Sequence, residues 1–242
     1  MAVCPALYGL RPLLHAALER VLCALHVTRK SILFWQAPFG GDIITPLKTD
    51  QESLDWAKDE RFKALLWGVG APSQESTRIQ AFSLLSTKKP CVLDGGALSS
   101  FEGKPEQLRE KLHGNVILTP HEGEFLRLFP HLTSLNREEK AHKAAVEMGT
   151  IVVLKGHPTL IASPQGDVIV NTNAPATLAT AGTGDVLAGL IVGLLTQGLS
   201  PLSAAGAAVW MHGEAANRKG LGLIAEDLPG EIPGVLQELM GA

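Results

Sequence analysis

The sequence predicts an α/β layer fold with a central, mostly parallel sheet flanked by helices. Three observations carry that expectation. Short apolar runs at Ala64–Trp67, Cys91–Leu93, Val116–Leu118 and Ile151–Leu154 have the length and composition of buried strands. Helical patterns alternate with them, at Ser76–Leu85 before the second strand and Arg137–Met148 before the fourth. Such alternation implies parallel pairing. Polar or glycine-rich loops follow each run: Gly68-Val69-Gly70, Asp94-Gly95-Gly96, Thr119–Glu124 and Lys155–Thr159. Ligands of open α/β sheets bind beyond the carboxyl ends of the strands, where these loops lie.

The remaining elements follow in order. Leu10, Leu13, Leu14, Ala17, Leu18, Val21, Leu22 and Leu25 recur at helical spacing opposite Arg11, His15, Glu19 and Arg20, the pattern of an amphipathic surface helix. Thr159–Ala162 and Val168–Asn171 flank Ser163-Pro164-Gln165-Gly166-Asp167 and read as a β-hairpin. Val186–Gly213 carries no formal charge and is long enough on paper to span a bilayer. The Gln197-Gly198-Leu199-Ser200-Pro201 break divides it. Gly198 suits a helix C-terminus, Ser200 an N-cap and Pro201 a first turn, so two buried helices are expected.

A chain of 242 residues can bury a substantial core, and the absence of a linker favours one domain over residues 1–242. The apolar share of 45% and charged share of 19% are ordinary for a globular protein. A net charge of -3 gives no sign of a nucleic-acid partner. Cys4, Cys23 and Cys91 are scattered, suggest neither a disulfide framework nor a metal site, and fit a reducing compartment. No signal peptide or membrane span is read, so a cytoplasmic location is expected.

The most informative segment runs from Ala179 to Asp185 and feeds into Val186-Leu187-Ala188-Gly189-Leu190. A glycine turn at Gly182 and Gly184 ahead of an apolar helix lets an anion approach the unpaired N–H groups at its start. Asp185 then stands where a phosphate would dock. It is either a helix cap or a carboxylate placed to take a proton during phosphoryl transfer. His121 and Glu124 could contact a substrate or hold water around magnesium, although Glu122 and Glu124 also suit a helix start. Lys155, Gly156 and Thr159 suit a nucleotide phosphate or ribose; a surface lysine beside a turn glycine is the competing reading. His142 and His212 read as packing or surface residues.

Three ordered segments resemble those of a known family. Val116–Phe125 is similar to V-L-T-P-H-x-G-E-F, Val153–Thr159 to V-L-K-G-x-x-T, and Leu178–Gly189 to L-A-T-A-G-[ST]-G-D-V-L-A-G. The family is the ADP/ATP-dependent NAD(P)H-hydrate dehydratases of the ribokinase-like superfamily. The resemblance implies a ribokinase-like layered fold. It also implies a repair reaction, in which the added hydroxyl of hydrated NADH or NADPH (S epimer) is phosphorylated by ADP or ATP and phosphate leaves. By this resemblance Asp185 is the base on the substrate hydroxyl, and His121, Gly68 and Gly70 lie beside the hydrated cofactor. Lys155, Gly156, His157, Pro158, Thr159, Gly182, Thr183 and Gly184 hold the nucleotide, and Glu124 helps organise Mg2+ or its waters.

The departures from the family are specific. Asp94-Gly95-Gly96-Ala97-Leu98 stands where D-A-D-A-L is common, and Val69 replaces a proline. Met1–Val27 opens on something like a helix where the family has a strand and a G-G-S turn, so a shortened start is expected. The family often occurs fused behind an epimerase domain, so an epimerase partner domain or protein is expected, and assembly into a homo-oligomer stays open. A vitamin-precursor kinase of the same superfamily and a nucleotide-binding protein impaired in catalysis are the alternative functions.

Overall fold

The computed structural model describes residues 49–240. The expected helix over Leu10–Leu25 and the unusual start over Met1–Val27 lie outside them, as do Cys4 and Cys23. Helix α1 (Asp50–Lys58) opens on Thr49, whose hydroxyl accepts from the Glu52 N–H. Six strands form one sheet in sequence order: β1 (Leu65–Trp67), β2 (Cys91–Leu93), β3 (Val116–Leu118), β4 (Ile151–Leu154), β5 (Thr159–Ala162) and β6 (Val168–Asn171). The first four pair in parallel. The β5–β6 hairpin appears as expected, and β5 also pairs antiparallel with β4. The loop after β4 therefore reverses the chain directly, without a crossover helix.

Helices α2 (Glu75–Ser86), α3 (Gly95–Ser99), α4 (Pro105–Arg109), α5 (Glu122–Leu128) and α6 (Arg137–Met148) fill the crossovers between the parallel strands. Helices α7 (Thr183–Thr196), α8 (Pro201–Lys219) and α9 (Leu228–Met240) follow β6. Side chains alternate across a strand, and the two cores show that period. Leu66, Val92, Ile117, Ile151 and Val153 face α7, α8 and α9. Leu65, Trp67, Cys91, Leu93, Val116, Leu118, Val152 and Leu154 face α2, α3, α5 and α6. Burial on both faces explains why the parallel strands read as unbroken apolar runs.

The uncharged stretch after Asp185 forms the expected helical hairpin. Gly198 takes a left-handed conformation (φ 87°), Ser200 caps α8 by accepting from the Ser203 N–H, and Pro201 occupies its first turn. Among the described residues no helix is long and apolar enough to cross a membrane. Cys91 is fully buried in β2, and burial pushes its thiol up to about 12, so it is inert at neutral pH.

The centre of the sheet is the place to test this packing. Leu118→Ala empties a fully buried position between β2 and β4 and is expected to cost about 2–5 kcal/mol in urea unfolding.

Candidate active site

The carboxyl ends of β2, β3 and β4 meet around one ion pair. Asp94 ends β2 and is 2% exposed. Its Oδ1 accepts from Lys155 Nζ at 2.7 Å and from Thr119 Oγ1 at 2.8 Å. Lys155 follows β4, and its backbone bridges to His121 beyond β3, where the Lys155 N–H donates to the Pro120 carbonyl at 2.9 Å. The lysine read as a possible surface residue is therefore largely enclosed, with its side chain 19% exposed. In the sequence Asp94 opens a glycine-rich loop in which Gly96 replaces the family's second acid. Here it fixes the lysine.

The glycine turn at 182–185 reaches the same place. Helix α7 starts earlier than its apolar run suggests. Gly182, left-handed at φ 87°, is the N-cap, and Thr183, Gly184 and Asp185 form the first turn. The capping reading of Asp185 is thereby corrected, because the carboxylate sits at the third helical position and makes no hydrogen bond among the described residues. The Thr183 hydroxyl is turned inward, donating to the Leu178 and Thr180 carbonyls at 2.8 and 2.9 Å. A Cβ built on Gly184 would lie 3.3 Å from Lys155 Nζ, so the helix start and the lysine are neighbours. Burial raises the Asp185 carboxyl above the usual 3.8, Asp94 and Glu124 push it further up, and Lys155 pulls it down.

The loop after β3 divides its residues differently from the expectation. His121 is the N-cap of α5: its Nδ1 accepts from the Gly123 and Glu124 N–H groups at 3.0 and 3.4 Å. Glu124, 6% exposed, closes the capping box by accepting from the His121 N–H at 2.9 Å. The His121 ring remains about half exposed and lines the adjoining cavity. Glu122 is bound by Arg137 and by Lys140 Nζ at 3.0 Å, in place of solvent alone. Gly68 (φ 111°) follows β1, where a Cβ would meet the Asp94 carbonyl at 1.9 Å, so only glycine lets this turn lie on the Asp94 loop. Gly70 is also left-handed, at φ 64°.

A cavity of about 610 Å³ opens beside Lys155 and Gly184. His121, Lys155, Gly156, His157, Thr159, Thr183 and Gly184 form its polar end, and the 174–179 segment with Leu187 and Val209 an apolar wall. Asn173 anchors that wall to α8, donating to the Trp210 carbonyl and to Glu214, both at 2.9 Å. The Thr159 hydroxyl donates back to the Gly156 carbonyl at 2.8 Å and closes the β4–β5 turn. Pro158, which follows a cis peptide bond, Gly182 and Glu124 stand outside the lining, as do Gly68, Gly70 and Asp185. His212 is 7% exposed in the cavity wall, with its Nε2 unpartnered among the described residues, and burial pushes its pKa down to about 4. It packs as expected, but against the site.

The sequence pattern of the NAD(P)H-hydrate dehydratases matches residues 16–232. The chain belongs to the NAD(P)H-hydrate dehydratase family. A bifunctional NAD(P)H-hydrate repair enzyme of Salinibacter ruber is 42% identical over 185 residues, covering 74% of this chain and 34% of that protein. The crystal structure of the ADP/ATP-dependent NAD(P)H-hydrate dehydratase of Bacillus subtilis, co-crystallised with ATP/Mg2+, superposes with a TM-score of 0.72 at 28% identity, covering 96% of this chain and 85% of that one. A ribokinase-like superfamily protein of Enterococcus faecalis shares the fold, with a TM-score of 0.71 at 20% identity over 98% of this chain and 84% of that one. The first curated relatives are longer proteins, of which this chain spans 34% to 59%.

Within this NAD(P)H-hydrate dehydratase family member, a nucleotide fits the cavity. Its volume suits a small ligand, and its polar end joins a lysine to a helix start free of side-chain caps. A protein-built magnesium cage does not fit: among the described residues no group of three or more His, Cys, Asp or Glu could hold a metal ion. Glu124 uses its Oε2 for the α5 cap.

The raised Asp185 pKa has a consequence for stability. Its folded value lies above its unfolded one, so ionisation costs folded stability. The cost is absent below the unfolded pKa and complete above the folded one; stability from this group is lost as pH rises through the raised value. Asp185→Asn is expected to melt a few degrees higher than the native chain near neutral pH. The gap should close as pH falls through the raised pKa towards 3.8, followed by thermal melts across acid pH.

Proposed function

We propose that the chain dehydrates hydrated NADH or NADPH (S epimer) at the expense of ADP or ATP, regenerating the dihydronicotinamide ring. The observation that carries this reading is the Asp185 carboxylate, without a hydrogen bond among the described residues and raised in pKa, one residue beyond Gly184 at the edge of the cavity. The nucleotide lies in the cavity with its terminal phosphate against Gly184 and Lys155. The substrate hydroxyl approaches from the side of Asp185, Gly68 and Gly70, with His121 at the junction of the two. Asp185 takes the hydroxyl proton as the oxygen attacks phosphorus and the bond to the nucleotide breaks; phosphate then leaves with the oxygen and its bonding electron pair, a proton leaves the neighbouring ring carbon to solvent, and the ring double bond re-forms.

Each residue has a task within its reach. A hydroxyl is too weak an acid to ionise beforehand, so the base must act as attack proceeds, and a raised pKa makes a carboxylate better at it. The Asp185 N–H donates to the Gly182 carbonyl at 3.0 Å, whereas the Gly184 amide at the α7 N-terminus has no backbone acceptor among the described residues and offsets charge on the moving phosphoryl group. Lys155 is held by Asp94 at 2.7 Å, which aligns its ammonium while it retains further donors for the ligand. Magnesium, carried by the nucleotide's phosphates, would offset their charge during transfer, with Glu124 nearby to order its waters. The relatives named as bifunctional repair enzymes support an epimerase partner domain or protein. The reading takes residues 1–242 as one domain working in the cytoplasm, with its assembly state to be measured.

Purified chain supplied with hydrated NADH, ADP or ATP and magnesium is expected to restore absorbance at the NADH band. Asp185→Asn is expected to lower kcat by about 10²–10⁴-fold while leaving nucleotide affinity within a few-fold. An accumulating phosphorylated product would point to a small-molecule kinase. Nucleotide binding without turnover would point to an impaired binding protein. Native-level turnover in Asp185→Asn would remove the carboxylate from its role.

A further inference from the structure

We propose that Arg137 is a positioning residue for nucleotide binding, shaping the β4–β5 turn so that its backbone faces the ligand. The proposal rests on the nucleotide reading of the cavity. Arg137 opens α6, outside the cavity lining and outside every motif that marked the site. Its Nη2 donates to three carbonyls of the turn: Pro158 at 3.1 Å, Lys155 at 3.3 Å and Leu154 at 3.5 Å. Its Nη1 is bound by Glu122, the first residue of α5, and Lys140 Nζ holds the other Glu122 oxygen at 3.0 Å. One guanidinium thus ties the turn beyond β4 to the helix beginning beyond β3.

The geometry of the peptide unit gives this contact its consequence. In a trans peptide the carbonyl and the following N–H point in opposite directions. The Leu154 carbonyl faces Arg137, and the next N–H, that of Lys155, points away to the Pro120 carbonyl at 2.9 Å. The Lys155 carbonyl also faces Arg137, so the Gly156 N–H is turned away from it. Gly156 lines the cavity, and its N–H has no backbone acceptor among the described residues. A cation on the carbonyl side polarises the peptide and strengthens that donor. Gly156 also makes room for the guanidinium: at φ 145°, a Cβ there would lie 2.6 Å from Arg137 Nη2. The glycine is therefore needed as much for the arginine behind the turn as for a ligand in front of it.

The test is calorimetric titration of the purified full chain with Mg-ADP, which does not depend on any turnover. Arg137→Ala is expected to weaken binding about ten- to a hundredfold, the loss that goes with charge-assisted hydrogen bonds. Added methylguanidinium should recover part of it. Arg137→Lys keeps a cation near Glu122 but cannot span three carbonyls, and should bind at an intermediate level. In the dehydratase assay both variants should raise the KM for ADP, with kcat at saturating ADP and the KM for hydrated NADH each within about threefold. Native ADP affinity in both variants would overturn the proposal. So would an affinity loss in Arg137→Ala alone that follows loss of its melting transition, with Arg137→Lys folded and binding as the native chain does. A native chain that binds no ADP would overturn the nucleotide reading and this inference together; variants that lose binding selectively leave that reading standing.

Discussion

The Asp94–Lys155 pair is the constraint on which the site depends. A carboxylate 2% exposed among strand ends carries a large desolvation cost, which falls only if the charge is matched and its lone pairs are used. Lys155 supplies the charge and Thr119 a further donor. The three residues come from the carboxyl ends of three adjacent parallel strands, so the pair forms only when β2, β3 and β4 are in register. Formation of the sheet and assembly of the site are one event. The lysine is held within 3.3 Å of where a Cβ would sit on Gly184, which brings the start of α7 against the strand ends.

That arrangement also sets the electrostatics of Asp185. Three carboxylates, Asp94, Glu124 and Asp185, share a region with one lysine. Asp94 takes part of the lysine's charge, and Glu124 is turned into its own helix cap. Asp185 is left as the carboxylate with no hydrogen-bond partner among the described residues, and burial with repulsion outweighs the lysine. A structural acid would be expected to find a donor, as Asp94 and Glu124 do. An acid kept without one, beside a helix start that favours anions, is in the environment that pKa tuning for proton transfer requires.

Local features of this chain were legible in its sequence. β2 through β6, α6 and the α7–α8 break lie where composition and punctuation place them, because each is decided within a dozen residues. The site was legible as loops and not as contacts. Asp94 was legible as the first acid of its loop but not as the anchor of a lysine, because its partners, Thr119 and Lys155, lie 25 and 61 positions away. Asp185 looked like a cap because Gly182 rarely signals a helix start as clearly as an acid does. His121 and Glu124 looked like ligand contacts, and their capping box shows that a helix start and a binding loop can use the same side chains. Arg137 carried no motif at all; its meaning comes from three carbonyls up to 21 positions away.

Backbone recognition follows from how these parts are supported. The start of α7 presents the Gly184 amide, held by the helix itself, and the β4–β5 turn presents an amide held by the guanidinium behind it. Both flank Lys155, the one cation among the residues lining the cavity. An anion between them meets donors fixed by elements that pack on opposite faces of the sheet, α7 on one and α6 on the other. Neither face alone completes the cradle. On the proposed nucleotide reading, recognition of phosphate would depend on the helices packed on both faces of the sheet, and not on the glycine turn by itself.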